Sequence, residues 1–146
     1  MKVAYPTIFT ETDTNILIEI PDLGILTESN SEDAKMGNLA DAVAMARDAI
    51  GLYCISMEDK GDTVARSSKI QEIDIRTSTF YEDGKTFVSV VDVDLLVYRQ
   101  KNDMKMVRRN VTLPNWLNRE VEAAHINVSR VLQEALMSKL NISKTI

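Results

Sequence analysis

The sequence is poor in the residues from which disulfide frameworks, membrane anchors and export signals are built. Its 146 residues include a single cysteine, Cys54, which excludes an internal disulfide and suits a reducing cytoplasm. No apolar run is long enough to span a bilayer, and residues 1–6 lack the apolar core of an export signal. We therefore predict a cytoplasmic protein that does not enter the membrane.

The residues that most often carry catalysis are also scarce. The only histidine, His125, lies between two predicted helices, where we expect a helix-end role. The sequence has no Ser-His-Asp set, zinc-ligand spacing or phosphate-binding glycine loop. Asp92 and Asp94 share one face of a predicted strand, but an RNase H-type nuclease needs about four clustered carboxylates around two metal ions. No spacing recruits the other acidic candidates, which are Glu19, Asp22 and Asp74. We expect a non-catalytic protein without a metal or cofactor.

Charge is distributed unevenly along the chain. Residues 1–98 contain 18 acidic and 8 basic side chains, whereas the chain from Arg99 onward contains 9 basic and 4 acidic ones. We call residues 1–98 the body and the chain from Arg99 onward the tail. The basic tail suits a polyanion such as DNA. The acidic body suits a basic protein partner, or its charge simply keeps the chain in solution. Charge alone does not decide between those two interpretations of the body.

The first third of the chain has the pattern of a small sheet. Residues 2–9 alternate loosely, with Val3, Tyr5 and Phe9 against Lys2, Ala4 and Ile8, and further apolar runs cover residues 16–20 and 25–28. These runs predict three strands, with a turn at residues 21–24 between the last two. Pro6 has no amide proton to donate, so we expect the first strand to lie at an edge or to carry a bulge.

A long amphipathic helix is predicted next. Residues 29–32 have the spacing of a capping box, and apolar residues then recur every three or four positions from Met36 to Met57. Cys54 lies in this helix among apolar neighbours, so we expect a buried packing thiol.

The rest of the body predicts more strand. Residues 70–75 alternate briefly and predict a short strand, and residues 82–85 form a hairpin-type turn of the Asp-Gly kind. The β-branched run over residues 87–95 predicts a buried strand. Residues 99–105 are charged and aperiodic, so they are the expected linker. The body is thus α+β, with a helix on one face of a small sheet.

The tail begins with a basic strand at residues 106–113 and continues with two helices. Pro114 suits the start of the first helix and Asn127 is a good N-cap for the second. A lone strand does not close a core, so we expect a second copy of the chain to supply its partner. The positions expected to be buried are Trp116, Leu117, Val121, Ala124, Val128, Val131, Leu132, Ala135, Leu136 and Leu140.

Two such strands side by side form a ribbon that fits the major groove of DNA. Arg108, Asn110 and Thr112 share one face of the strand, and these residue types can read base edges. The opposite face carries Val107, Arg109, Val111 and Leu113. Arg109 is expected to reach a phosphate or solvent, and Asn127 and Ser129 at the start of the second helix could bind a phosphate. The simpler alternative is a β-α-α tail with a solvated polar strand.

This order of parts resembles the ribbon-helix-helix transcription factors, and more narrowly the HicB antitoxins. The similar tail stretches are residues 107–118 (VRRNVTLPNWLN) and 126–136 (INVSRVLQEAL); residues 5–9, 20–23 and 90–95 of the body match in order and spacing. Two features depart from the family: His125 stands where a glycine often ends the first tail helix, and the turn at residues 21–24 is short.

The resemblance implies a partly RNase H-like domain over residues 1–98 that binds and silences a HicA-type toxin, an mRNA-cutting ribonuclease. It further implies a linker over residues 99–105 and a ribbon-helix-helix domain over residues 106–146. That domain would repress the operon as a homodimer or a dimer of dimers bound to operator DNA. Two other functions stay open: a metal-dependent RNase H-like nuclease, and a ligand-sensing ribbon-helix-helix repressor.

Overall fold

The computed structural model describes residues 1–29 and 39–144, which form two compact units. Unit 1 is Met1–Arg99 and unit 2 is Gln100–Ile146. The fold is mixed α/β, with one four-stranded antiparallel sheet in unit 1. The strands are β1 (Lys2–Glu11), β2 (Ile16–Ile20), β3 (Ile25–Ser29) and β4 (Lys85–Asp94), and the helices are α1 (Leu39–Asp59), α2 (Leu95–Asn102), α3 (Asn115–Ala123) and α4 (Val128–Lys139).

The sheet has the order β3-β2-β1-β4, so β1 is an inner strand. The edge position predicted from Pro6 is therefore wrong. The register explains how the proline is accommodated: β4 runs alongside all of β1, whereas β2 pairs only with residues Ile8 to Glu11. Because β2 does not reach Pro6, one side of the strand requires no hydrogen bond at that position.

β4 is an edge strand, at the opposite end of the sheet from β3. The prediction that this strand is buried is therefore wrong. Only Val91 and Val93 of β4 are buried; Asp92 between them is exposed, and Val90 just before them is 50% exposed. The alternation follows from the pleat, because successive side chains point to opposite faces of the sheet.

The core lies between α1 and the sheet face that carries Tyr5, Phe9 and Ile18. Phe9 stacks on Phe87 across the β1–β4 pair, with the ring centroids 5.4 Å apart. The helix contributes a stripe of mostly small residues at four-residue spacing, which lets it pack closely against the sheet: Ala42, Ala46, Ile50 and Cys54.

The predicted stripe consists of Met36, Leu39, Val43, Ala46, Ile50, Tyr53 and Met57. Ala46 and Ile50 are buried as expected, and Val43 and Tyr53 pack against the core half-buried, but Leu39 is exposed and Ala42 is buried instead. The expected burial of Cys54 is confirmed. The predicted capping box falls outside the described residues except for Ser29, which ends β3, and so does the first stripe residue, Met36.

The segment between α1 and β4 differs most from its prediction. Instead of a strand, residues 70–75 lead into short 3-10 turns at Ile70–Glu72 and Ile75–Thr77. The Asp74 carboxylate accepts the Arg76 backbone N–H (3.0 Å), and this local bond favours a turn over a sheet ladder.

The predicted hairpin turn at residues 82–85 is also wrong. Tyr81–Asp83 is a third 3-10 turn, and Gly84 follows in an extended conformation. Glycine is needed at position 84 because a Cβ there would overlap the carbonyl oxygen of Glu11.

In unit 2, residues 103–114 are neither helix nor strand, so the strand predicted at residues 106–113 is not formed in the single chain. The predicted linker is helical as far as Asn102, where α2 ends. Among the described residues, no helix combines the length and apolar character needed to cross a membrane.

Candidate nucleic-acid interface

The three predicted base-reading residues lie in an exposed, irregular part of unit 2. Arg108, Asn110 and Thr112 are all exposed, as is Arg109 on the opposite predicted face. Leu113 is the one half-buried residue between positions 106 and 114. Burial in the single chain therefore does not separate the two faces of the predicted strand. The assignment of bases and phosphates to these residues stays a prediction.

The start of α4 has the geometry predicted for it. The Asn127 side chain accepts the backbone N–H of Arg130 at 3.1 Å, so Asn127 is confirmed as the N-cap. Ser129 is exposed in the first turn of the helix. Free amides at a helix start attract anions, but no contact in unit 2 tests a phosphate at Asn127 or Ser129.

The corner between α3 and α4 keeps a left-handed residue even though no glycine is present. His125 has a φ of 52°, and its backbone N–H bonds to the carbonyl of Glu122 at 3.1 Å. The N–H of Ile126 bonds to the carbonyl of Val121 at 3.2 Å. This pattern closes the end of a helix. The expected helix-end role of His125 is confirmed. Its left-handed backbone conformation is less favourable for histidine than for glycine, which has no Cβ.

Unit 2 buries none of the ten apolar residues predicted to form its core, and Trp116 on α3 is 67% exposed. Six of the ten are exposed, which are Trp116, Ala124, Val131, Ala135, Leu136 and Leu140. The half-buried positions form the inner line of the two helices, which is Leu117, Val121, Val128, Leu132 and Met137. Burial of Trp116 is thus wrong for the single chain, because two short helices do not enclose an apolar face.

The acidic residues considered for catalysis are held apart by separate partners. Asp92 pairs with Arg47 at 3.3 Å, and Asp94 accepts the backbone N–H groups of Leu96 and Val97 at the start of α2. The other three accept hydrogen bonds from different parts of the segment before β4, in the pairs Asp22–Ser68, Glu19–Thr79 and Asp74–Arg76.

Within residues 1–29 and 39–144 there is no group of three or more side chains suited to a metal ion. These contacts give the nuclease alternative no support, because each of the five carboxylates forms a hydrogen bond or ion pair with a different part of unit 1.

A feature that the sequence reasoning missed is the attachment of α2 to α1. The Tyr98 ring lies against Gly51, and its hydroxyl donates to the Asp48 carboxylate at 2.9 Å. Burial, together with this hydrogen bond, raises the pKa of Tyr98 to about 12. Arg99 reaches Glu58 and Asp59, each at 2.9 Å.

Those two carboxylates, Glu58 first, raise the pKa of the Arg99 guanidinium further. Arg99 was predicted to lie in a linker. Asp94 in front of Leu95, with Tyr98 one turn later, is a helix-start signal that could have placed it correctly.

Comparison with known proteins found one matching family model and one similar solved structure. A family model described as the HicB-like antitoxin of bacterial toxin–antitoxin systems matches residues 6–139. A solved structure titled a toxin–antitoxin complex from Streptococcus pneumoniae contains a chain of similar fold, with a TM-score of 0.57 and 20% identity. The alignment covers 95% of this chain and 99% of that one. The comparison with curated proteins gave no match.

Proposed function

The chain belongs to the HicB-like antitoxin family, and we propose that it neutralises a HicA-type mRNA-cleaving toxin and represses the operon that encodes the pair. In this proposal unit 1 binds the toxin in the cytoplasm, and unit 2 binds operator DNA as a homodimer. Neither activity requires catalysis by the antitoxin itself. The family match supports the antitoxin role, and the features of each unit support the division of labour.

The observation that carries the proposal for unit 2 is its uncovered apolar surface. Val131 and Leu136 flank the half-buried positions of α4, Leu140 follows the helix, and all three are exposed in the single chain. An apolar helix surface of this kind is stabilised when a partner covers it. A second copy would do so and would also let residues 106–113 of the two chains pair as a ribbon, giving the ribbon-helix-helix arrangement.

On that ribbon, Arg108, Asn110 and Thr112 would face the bases of the major groove. Arg109 and the first turn of α4, with Asn127 and Ser129, would contact phosphates. The excess of basic side chains from Arg99 onward supports this placement, because phosphate contacts dominate the affinity of proteins for DNA.

Unit 1 supports the toxin-binding half of the proposal through its charge. Eighteen acidic side chains against eight basic ones in residues 1–98 complement a small RNA-binding toxin, which is expected to be basic. We describe unit 1 as partly RNase H-like because an antiparallel meander, a long helix and a further strand follow one another in that order. A dimer of dimers would require an additional contact between bodies.

Capture of the toxin is the decisive experiment. The full chain and the protein encoded beside it are co-expressed, and the complex is isolated through a tag on the antitoxin. We expect a stable complex in which the toxin no longer cleaves mRNA. A neighbouring ribonuclease that is neither retained nor inhibited would refute the antitoxin role.

Operator binding is tested on the DNA upstream of the chain's own reading frame. Arg108→Ala and Asn110→Ala should each cost about 1–3 kcal/mol of binding free energy while the dimer persists. Arg119→Ala and Asn118→Ala, on the exposed side of α3, remove the same side-chain types away from the ribbon and should change binding little. Equal losses in both pairs would show that the ribbon does not read the bases.

A further inference from the structure

The outer edge of β4 is the longest unpaired backbone edge of the sheet. β4 has ten residues and pairs only with β1, whereas the opposite edge strand, β3, has five. Among the described residues, Arg47 is the only side chain that hydrogen-bonds to the β4 backbone, at the carbonyl of Asp92 (3.1 Å). That contact lies near one end of the strand, and no described side chain hydrogen-bonds to the backbone of residues 86–91.

The open stretch lacks the features that normally protect an edge strand. Residues 86–91 (TFVSVV) contain no charged residue, no proline and no glycine. Ser89 and Val90 at its centre are both exposed, one on each face of the sheet. Edge strands usually carry lysine, proline or a bulge that prevents pairing with another chain. A long edge without them is a template for an added strand.

The charges around this edge decide which kind of strand it suits. Four carboxylates and one lysine lie within residues 82–94, and unit 1 as a whole is strongly acidic. A second copy of unit 1 would bring the same negative charge to the edge and be repelled. A basic protein would be attracted, and its approach would be accelerated.

From this edge and its charge we infer that β4 is the docking strand for the toxin, which adds a β-strand of its own next to residues 86–91. The inference rests on the proposed function and specifies how that partner binds. Backbone hydrogen bonds along the edge supply affinity, and the exposed carboxylates of Glu82 and Asp83 just before the start of the strand select a basic partner.

The test uses the full chain and the toxin that the wild type captures. Val90→Lys places a cation at the centre of the edge, where it disfavours the pairing of an added strand and repels a basic partner. Leu26→Lys is the matched control, since Leu26 lies on the other edge strand and is 53% exposed against 50% for Val90. Val90→Thr keeps a β-branched, uncharged side chain at the same position.

We expect Val90→Lys to weaken toxin binding about tenfold or more, measured by calorimetry, and Leu26→Lys and Val90→Thr to stay within about threefold of the wild type. Hydrogen exchange of the wild-type complex should slow in residues 86–91 and stay unchanged in β3. Circular dichroism and operator binding of Val90→Lys should match the wild type, which separates a docking defect from misfolding.

Two results would overturn the inference while leaving the proposed function intact. One is wild-type toxin affinity in Val90→Lys together with no added protection in residues 86–91. The other is a fall in the mass of the free antitoxin on Val90→Lys in sedimentation, which would assign the edge to a second copy. If the wild type itself captures no toxin, the proposed function fails instead.

Discussion

Unit 1 and unit 2 share one chain but differ in how they bury apolar surface. Every hydrophobic side chain that is buried in the described residues belongs to unit 1, between Tyr5 and Leu95. In unit 2 the described side chains are at most half-buried. The first unit therefore has a core of its own, whereas the second leaves its apolar face uncovered in the single chain.

The difference follows from size and from the elements available. Unit 1 packs a 21-residue helix against a four-stranded sheet, so both elements cover each other's apolar faces. Unit 2 has two helices of 9 and 12 residues and a segment, residues 103–114, that is neither helix nor strand. Chains below about 40 residues usually need additional contacts to fold, and slightly longer ones are only marginally stable.

The largest expected effect comes from removing one apolar side chain from each unit. Phe9→Ala should lower the free energy of unfolding by about 3–5 kcal/mol, because the ring is fully buried and leaves a cavity. This loss should not depend on protein concentration. Leu136→Ala should lower the midpoint of unfolding more at low concentration than at high, because its partner atoms belong to another molecule. Urea titrations at two concentrations measure both.

A concentration-independent effect of Leu136→Ala would mean that unit 2 completes its core within one chain. A concentration-dependent effect of Phe9→Ala would mean that unit 1 also needs a partner. Either outcome would remove the contrast between the units.

A smaller effect is expected where α2 is attached to α1. A Cβ at Gly51 would lie 2.5 Å from the Tyr98 ring, so Gly51→Ala should cost about 1–3 kcal/mol of stability. In a Tyr98→Ala background the same substitution should instead stabilise the helix by up to about 1 kcal/mol, since alanine is the better helix former. A double-mutant cycle by chemical unfolding measures the difference. Equal effects in both backgrounds would show that the ring does not limit position 51.

In unit 2, the left-handed residue at the α3–α4 corner offers a gain in stability. His125→Gly should stabilise unit 2 by about 1 kcal/mol, because glycine has no Cβ to oppose a φ of 52°. Asn141, with a φ of 55° after α4, is the control. Asparagine tolerates this conformation, so Asn141→Gly should change stability by only a few tenths of a kcal/mol. Thermal unfolding of the dimer compares the two, and a loss on His125→Gly would point to another role for the imidazole.

The smallest effect is a response of unit 1 to alkaline pH. The pKa of Tyr98 is about 12 in the folded chain and about 10 in an unfolded one, so the folded state holds this proton more tightly. The stabilisation is complete below pH 10 and is lost as the pH rises towards 12. Tyr98→Phe should flatten that decline in urea titrations between those values. An unchanged slope would assign the decline to other groups.

Patterns with a clear period predicted most of unit 1. The three strands near the start follow from apolar runs, and the long helix follows from helical spacing. The failures have local or long-range causes. Residues 70–75 alternate only weakly, and the Asp74 carboxylate accepts a backbone N–H of its own turn. These residues therefore form 3-10 turns although their sequence pattern predicted a strand. The edge position predicted for the strand of Pro6 was wrong because β2 is too short to pair at that residue. The length of a neighbouring strand cannot be inferred from the residues around the proline.

The candidate interface was predictable in part. The helix boundaries around Pro114 and Asn127 could be located, because capping is a local property. The exposure of Trp116 was not predicted, because helical spacing marks an apolar face but does not say whether anything covers it. The attachment of Arg99 was also missed, because its carboxylate partners lie 40 residues earlier in the sequence.

The pairing of β1 with β4 also fixes when this protein becomes functional during its own synthesis. Lys2 pairs with Asp94 and Glu11 pairs with Lys85, so the longest ladder joins the first strand made to the last. At about 5–20 residues per second, roughly 4–18 s pass between the synthesis of paired residues. Throughout that interval the nascent β1 lacks its main neighbour. The complete sheet, including the outer edge of β4, exists only after nearly all of unit 1 has been translated.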